Sequence, residues 1–165
     1  MLIFLDTEFT DLHRSARLIS IGLVAEDGER AFYAELTDTY RPELSNEFVK
    51  ASVLPLLQGG DVRMSMTELT PRLAAWLASF NSPVQLATDS LAYDWPWIQQ
   101  LFKKPGTWPP NLDGKPFILQ FDADPGEKFN DALERAFAGG LRRHHALDDA
   151  KANRLGWLGV ALSVR

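Results

Sequence analysis

Apolar residues run almost unbroken over Leu2–Phe9, with acids only at Asp6 and Glu8. A run of this length closed by polar residues predicts a buried strand. Further apolar runs over residues 17–26 and 29–36 flank Asp27-Gly28, a composition suited to a tight hairpin turn. The first part of the chain is thus predicted as a three-stranded meander. The period then lengthens. Phe48, Val49, Val53, Leu56 and Leu57 recur at helical spacing within residues 44–57, with a break near Pro55. Ser65-Met66-Thr67-Glu68 has the make-up of a capping box, opening a helix that carries Leu69, Leu73, Trp76, Leu77 and Phe80. A short strand is expected over residues 83–88 and a helix over 93–102. The Pro- and Gly-rich stretch 104–114 reads as a loop, and 117–121 as a fifth strand. Residues 130–137 predict a helix stopped by Gly139-Gly140, and residues 146–162 the last helix. A meander followed by alternating helices and strands indicates an α/β domain with a mixed sheet. There is no internal repeat, and one domain is expected to span residues 1–165.

On the last helix, Leu147, Ala150, Leu158, Ala161 and Leu162 share a face expected to pack on the sheet or on a neighbouring helix. Asp149 lies on a different face with Asn153, Gly156 and Val160. Glycine costs helix stability relative to alanine, so Gly156 marks close packing on that side. If that side meets the end of the first strand, Asp149 reaches Asp6 and Glu8.

Composition narrows the class. With 165 residues, 45% hydrophobic and 11% aromatic, the chain has the material for a full core. No cysteine is present, which excludes disulfides and thiolate metal sites. No basic leader precedes the first apolar run and no stretch reaches the length of a membrane span, so a soluble, cytoplasmic protein without a membrane partner is expected. The formal net charge of −5 argues against a nucleic-acid partner. That argument weakens if the acids surround a bound cation, which would offset their charge toward a phosphate. Lys103-Lys104 and Arg142-Arg143 are local basic pairs, read either as solvated surface or, for the second pair, as neighbours of reactive residues.

Asp6 and Glu8 are two apart on a strand, so their side chains share a face. Carboxylates that close repel, and a divalent cation is the common relief; oxygen ligands of this kind suit Mg²⁺ or Mn²⁺. Asp94 follows a strand at the start of a helix, a junction where open α/β sheets place reactive groups, and Asp89 is its rival. His144 and His145 near the last helix are indistinguishable taken alone. Asp148 and Asp149 read equally as early-turn acids that favour the helix dipole.

Taken in order, Asp6-Thr7-Glu8-Phe9 on a first strand, Asp94 at a strand-to-helix junction and His144 five residues before Asp149 resemble the DEDDh-type 3′–5′ exonucleases. These have the ribonuclease H-like fold and include RNase T, oligoribonuclease and the proofreading exonuclease of DNA polymerase III. The opening joined to residues 18–28 is most similar to a small bacterial exoribonuclease-like group. The resemblance implies a ribonuclease H-like mixed sheet flanked by helices, and two metal ions, Mg²⁺ or Mn²⁺, held by Asp6, Glu8, Asp94 and Asp149. It implies His144 as general base, with His145 a bystander. Substrate contacts are expected from Thr7, Phe9 and Arg143, with Phe9 either stacking on a terminal base or packing at the strand end. The implied substrate is single-stranded nucleic acid, RNA or short oligonucleotides ahead of DNA. The alternatives are a DNA-directed proofreading or repair exonuclease and a catalytically weak binding module of the same fold. Relatives that pair as homodimers, and the tryptophans Trp95, Trp97 and Trp108, raise a homodimer as a further expectation. Where many relatives carry a His-Asn pair before the middle aspartate, this chain has Asp89-Ser90.

Overall fold

A computed structural model describes residues 1–13 and 15–162; the last three residues of the expected domain, 163–165, lie outside it. The meander forms as β1 (Leu2–Phe9), β2 (Leu18–Ala25) and β3 (Ala31–Leu36), paired antiparallel in sequence. Gly28 takes a φ of 81° at the β2–β3 turn, a conformation open to glycine without steric cost. The mixed sheet has six strands in the order β4-β3-β2-β1-β5-β6, the last three being β4 (Arg63–Met64), β5 (Gln85–Thr88) and β6 (Phe117–Ile118). Strand β5 runs parallel to β1, and β6 parallel to β5. The fold is a mixed α/β sheet of the ribonuclease H-like kind, flanked by helices.

Alternation along β1 separates two cores. Ile3 and Leu5 join Leu69, Leu73 and Leu77 of α2 (Met66–Ala78) and Trp95, Ile98 and Leu101 of α3 (Leu91–Leu101) on one face. Phe4 points to the other face, with Phe129 of α4 (Ala123–Ala138) and Ala150 and Val160 of α5 (Ala146–Ala161). Asp6 and Glu8 continue the Phe4 side, towards α5. Trp95 is core, and Trp97 and Trp108 pack against it, so these tryptophans have an internal use.

Several elements depart from the pattern. The expected helix over residues 44–57 resolves into α1 (Glu47–Ser52) between the short 3₁₀ turns Pro42–Leu44 and Leu54–Leu56. Proline at 42 and 55 permits only these single turns, and Phe48 stays 56% exposed. Helix α4 begins seven residues before the expected start, because Pro125 falls in its first turn, where no backbone N–H is needed. The fifth strand is only Phe117–Ile118. The face expected to be buried on α5 is corrected: Leu147, Leu158 and Ala161 are only partly covered and Leu162 is 68% exposed. Ala150 is buried as expected, together with Asn153, Gly156 and Val160 of the Asp149 side. The polar and glycine positions win because they allow close approach. A Cβ at Gly156 would stand 2.7 Å from the Phe129 ring, so glycine lets α4 and α5 touch.

Candidate functional site

Strand β1 is the point where the sheet changes direction: the meander builds to one side, β5 and β6 to the other. In open α/β sheets a crevice forms outside the strand ends at such a switch. The last β1–β5 pair is Phe4↔Ala87, so residues 6–9 continue without a β5 neighbour. Asp94, in the first turn of α3, fills the gap. One of its oxygens accepts from the Thr7 backbone N–H at 3.1 Å and from the Thr7 hydroxyl at 2.6 Å. The other accepts from the Thr88 hydroxyl. Asp94 is only 1% exposed, and these donors hold its carboxylate at the strand ends. The Thr7 side chain, expected to touch substrate, is instead buried and committed to Asp94.

Asp149 arrives from the opposite end of the chain through a glycine. Gly22 of β2 lies opposite Asp6 of β1, and a Cβ there would collide with the backbone of Ala146 and Leu147. The bare backbone lets the first turn of α5 sit directly on the sheet. Asp149, in that turn, thereby comes beside Glu8. One cleft collects Asp6, Glu8, Asp89, Asp94, His144 and Asp149, with Phe9, Tyr93 and Arg143 on its walls. Ligand-capable atoms of Glu8, His144 and Asp149 lie within 4.8 Å of one another, and so do those of Asp6, Asp89 and Asp94. All five residues expected from the sequence to act together are therefore brought together.

Asp89, the rival to Asp94, joins them. Its Oδ1 accepts from the Asn153 side-chain amide at 3.0 Å, one helical turn beyond Asp149. Sequence reasoning noticed Asn153 only as a neighbour of Asp149 on the helix face. Thr88 was missed altogether; its one available signal is a hydroxyl at a strand end, directly before Asp89.

The acids are held against their electrostatic preference. Burial pushes Asp6 well above the ordinary carboxylate range, and the charges of Asp94, Glu8, Asp149 and Asp89 push it further. Glu8 is raised to about 8, by burial and then by Asp149 and Asp94. Asp94 rises to about 7 because burial outweighs the opposing hydrogen bonds from Thr7 and Thr88. Asp149 also rises to about 7 by burial, against the backbone hydrogen bonds from His144 and His145. Other buried acids in the molecule are supplied with donors. Glu35 accepts from the Gln58 and Gly59 backbones and from Tyr33, and Asp148 pairs with Arg142 at 2.6 Å. Among the described residues, no Lys or Arg ion-pairs with Asp6, Glu8, Asp89, Asp94 or Asp149. A hard divalent cation fits this all-oxygen set, with one imidazole at its edge.

The adjacent histidines diverge. His144 adopts a left-handed backbone, φ 64°, and its ring meets Phe48 edge-on at 4.9 Å. Burial, then Arg143, lowers its pKa, so the imidazole is neutral and able to accept a proton at neutral pH. His145 turns inward, 2% exposed. It stacks on Tyr33 at 4.6 Å, lies 3.0 Å from the Gln58 amide and caps α5. Arg143 pairs with Glu134 at 2.5 Å and lies over Phe137, which fixes its guanidinium at the cleft wall. Arg142 is used within the fold by Asp148. The Phe9 ring stacks on Tyr93 at 5.8 Å and meets Trp97 at 6.5 Å, which makes a small aromatic wall rather than a buried strand end.

Over 54 residues the chain is 48% identical to 3′-5′ exoribonuclease Rv2179c of Mycobacterium tuberculosis strain H37Rv, and equally to 3′-5′ exoribonuclease MT2234.1 of strain CDC 1551. The match covers 33% of this chain and 31% of each relative, so the chain spans about a third of the length of the relatives it matches. The model of one protein family, the 3′-5′ exoribonuclease Rv2179c-like domain, matches residues 1–159, and the chain belongs to that family.

Proposed function

We propose that this chain is a metal-dependent 3′–5′ exoribonuclease, a single catalytic domain that removes nucleotides from the 3′ end of single-stranded RNA or short oligonucleotides. The observation that carries this is a cleft where five carboxylates converge with His144 and, among the described residues, none of the five forms an ion pair with a Lys or Arg. Asp6, Glu8, Asp94 and Asp149 would hold two divalent ions, Mg²⁺ or Mn²⁺, with Asp89 near enough to join the Asp6–Asp94 side. Bound there, the ions supply charge stabilisation to the attacking and leaving oxygens of a phosphodiester. His144 takes the proton from the attacking water at an imidazole nitrogen. Arg143, oriented by Glu134 and Phe137, presents its charge to the phosphate. Phe9 and Tyr93 offer ring surface to a base. Thr7 and Thr88 contribute by fixing Asp94 rather than by touching RNA. A cytoplasmic location suits a chain without cysteine.

The test is digestion of 5′-labelled and 3′-labelled single-stranded RNA, and of the matching DNA, in EDTA and in Mn²⁺. The expected result is a ladder shortening from the 3′ end, on RNA faster than on DNA, in Mn²⁺ alone. Release of the 5′ label first, or cleavage undiminished by EDTA, would sink the proposal. Faster digestion of DNA would favour the DNA-directed alternative.

A further inference from the structure

A second hollow lies beyond the aromatic wall. The catalytic cleft shares Phe9, Leu12 and Tyr93 with a neighbouring groove along Trp97, and that groove shares His13 with a larger cavity of about 660 Å³. The three adjoin one another, in the order carboxylate cleft, aromatic groove and polar hollow. Arg17 and Arg41, both exposed, line that hollow together with Thr10, Thr39 and Tyr40. Among the described residues neither arginine forms an ion pair. Of the neighbouring acids, Asp38 lines the hollow and Asp11 the groove beside it. Asp38 accepts from the Met66 backbone N–H at 2.9 Å, and Asp11 pairs with His13 at 3.2 Å.

The chamber is built rather than incidental. Thr10 and Arg17 are tied to each other by two hydrogen bonds, Thr10 N–H to the Arg17 carbonyl at 2.9 Å and Arg17 N–H to the Thr10 hydroxyl at 3.0 Å. The Thr39 hydroxyl ties the opposite wall to the Leu18 carbonyl at 2.5 Å. The Arg17 backbone is therefore anchored directly before β2, and Arg41 follows two residues after the Thr39 tie. In a chain of net charge −5, two guanidiniums without an ion pair among the described residues give this hollow a local positive charge beside the aromatic groove.

We propose that this chamber binds the backbone phosphates of single-stranded RNA upstream of the 3′ nucleotide, with Arg17 and Arg41 as the phosphate contacts. The inference rests on the exoribonuclease reading. Rings that stack bases, followed by cations that track phosphates, are the general plan of single-strand binding. RNA is favoured over a protein partner because the series of hollows begins at the carboxylate cleft and no acidic peptide has reason to enter there. The consequence is length dependence: a dinucleotide fills the cleft but stops short of the arginines, whereas a longer strand reaches them.

The experiment compares the wild-type chain with the Arg17→Gln, Arg41→Gln double variant on a ribodinucleotide and on a single-stranded decaribonucleotide. Binding of the labelled decamer is measured alongside by fluorescence anisotropy in Ca²⁺. For the variant we expect KM for the decamer to rise roughly tenfold with kcat held, and dinucleotide hydrolysis to stay unchanged. The salt dependence of decamer binding should flatten by about 1.4 log units per log salt, two phosphates at about 0.7 each. Arg17→Lys, Arg41→Lys should restore most of the loss. An unchanged decamer KM and salt slope would overturn the proposal, and so would equal damage to dinucleotide and decamer. If the wild type cleaves neither, the exoribonuclease reading fails by itself, while anisotropy still decides whether the arginines bind single-stranded RNA.

Discussion

His144 sits on the cleft wall beside Glu8 and Asp149, while His145 is folded under α5 against Tyr33 and Gln58. On the proposed function, His144→Ala lowers kcat by roughly 10²–10⁴-fold and leaves metal binding intact. His145→Ala removes a cap and a buried stack instead. It should cost about 0.5–2 kcal/mol of stability in urea melts, with metal-saturated kcat held within a few-fold. The opposite order of damage would transfer the base to His145. Asp94→Asn keeps the Thr7 and Thr88 hydroxyls near the site but loses the charge, so turnover should nearly vanish while the circular dichroism spectrum is retained. Asp89→Asn, whose partner Asn153 persists, should leave most turnover; full activity of Asp94→Asn in both Mg²⁺ and Mn²⁺ would remove Asp94 from the mechanism. At this scale the sequence is legible for acids and poor for their supports. Acids on an apolar strand announce themselves by their desolvation cost, as Asp6 and Glu8 do. Thr88 and Asn153 are ordinary polar residues until the fold aims them, and two adjacent histidines look alike until one of them takes φ 64°.

Helix α5 owes its place to Gly22. Alanine there would set a methyl against the Ala146–Leu147 backbone, which cannot yield as a side chain can. Gly22→Ala is expected to cost about 1–3 kcal/mol and to move Asp149 away from Glu8, weakening metal affinity more than Gly156→Ala does. Titration calorimetry with Mn²⁺ on both variants checks this, and equal affinities would mean that α5 is positioned from elsewhere. The elements legible in advance are those whose signals are local. The meander shows as three apolar runs, and α2 as a capping box realised between Ser65 and Glu68. The α4 start has a weak local signal, since Pro125 and Gly126 are poor helix formers that its first turn nonetheless accommodates. The packed face of α5 is not the leucine-bearing one, because helix against sheet and helix against helix here need small residues to come close.

For the whole molecule, the acid cluster ties folding to pH and to metal. Glu8 at about 8 and Asp94 and Asp149 at about 7 all bind protons more tightly folded than unfolded, where their values are 4.5 and 3.8. Their contribution to stability is therefore fully present below about pH 4 and is lost as pH rises through about 7 to 8. In EDTA the Tm should fall between about pH 5 and pH 8; in saturating Mn²⁺ the fall should shrink or reverse, since metal binds the ionised carboxylates and releases their protons. Asp6→Ala should narrow the gap between the two curves, and an unchanged gap would place the metal elsewhere. The fold class was readable from the order of periodicities. Net charge is a poor guide to partners here, because five of the acids that set it collect in one cleft.

The reactive groups come from β1, from α3 and from α5, and β1 and α5 lie at opposite ends of the chain. While this protein is being synthesised, Asp6 and Glu8 leave the ribosome first and wait as an unmatched pair. Asp149 joins them only when α5 has emerged and docked over Gly22. On the proposed function, a nascent chain is thus an inert nuclease beside the very message that encodes it. A product terminated before Ala146 would stay inert, keeping His144 and His145 but lacking Asp149 and the helix that carries it.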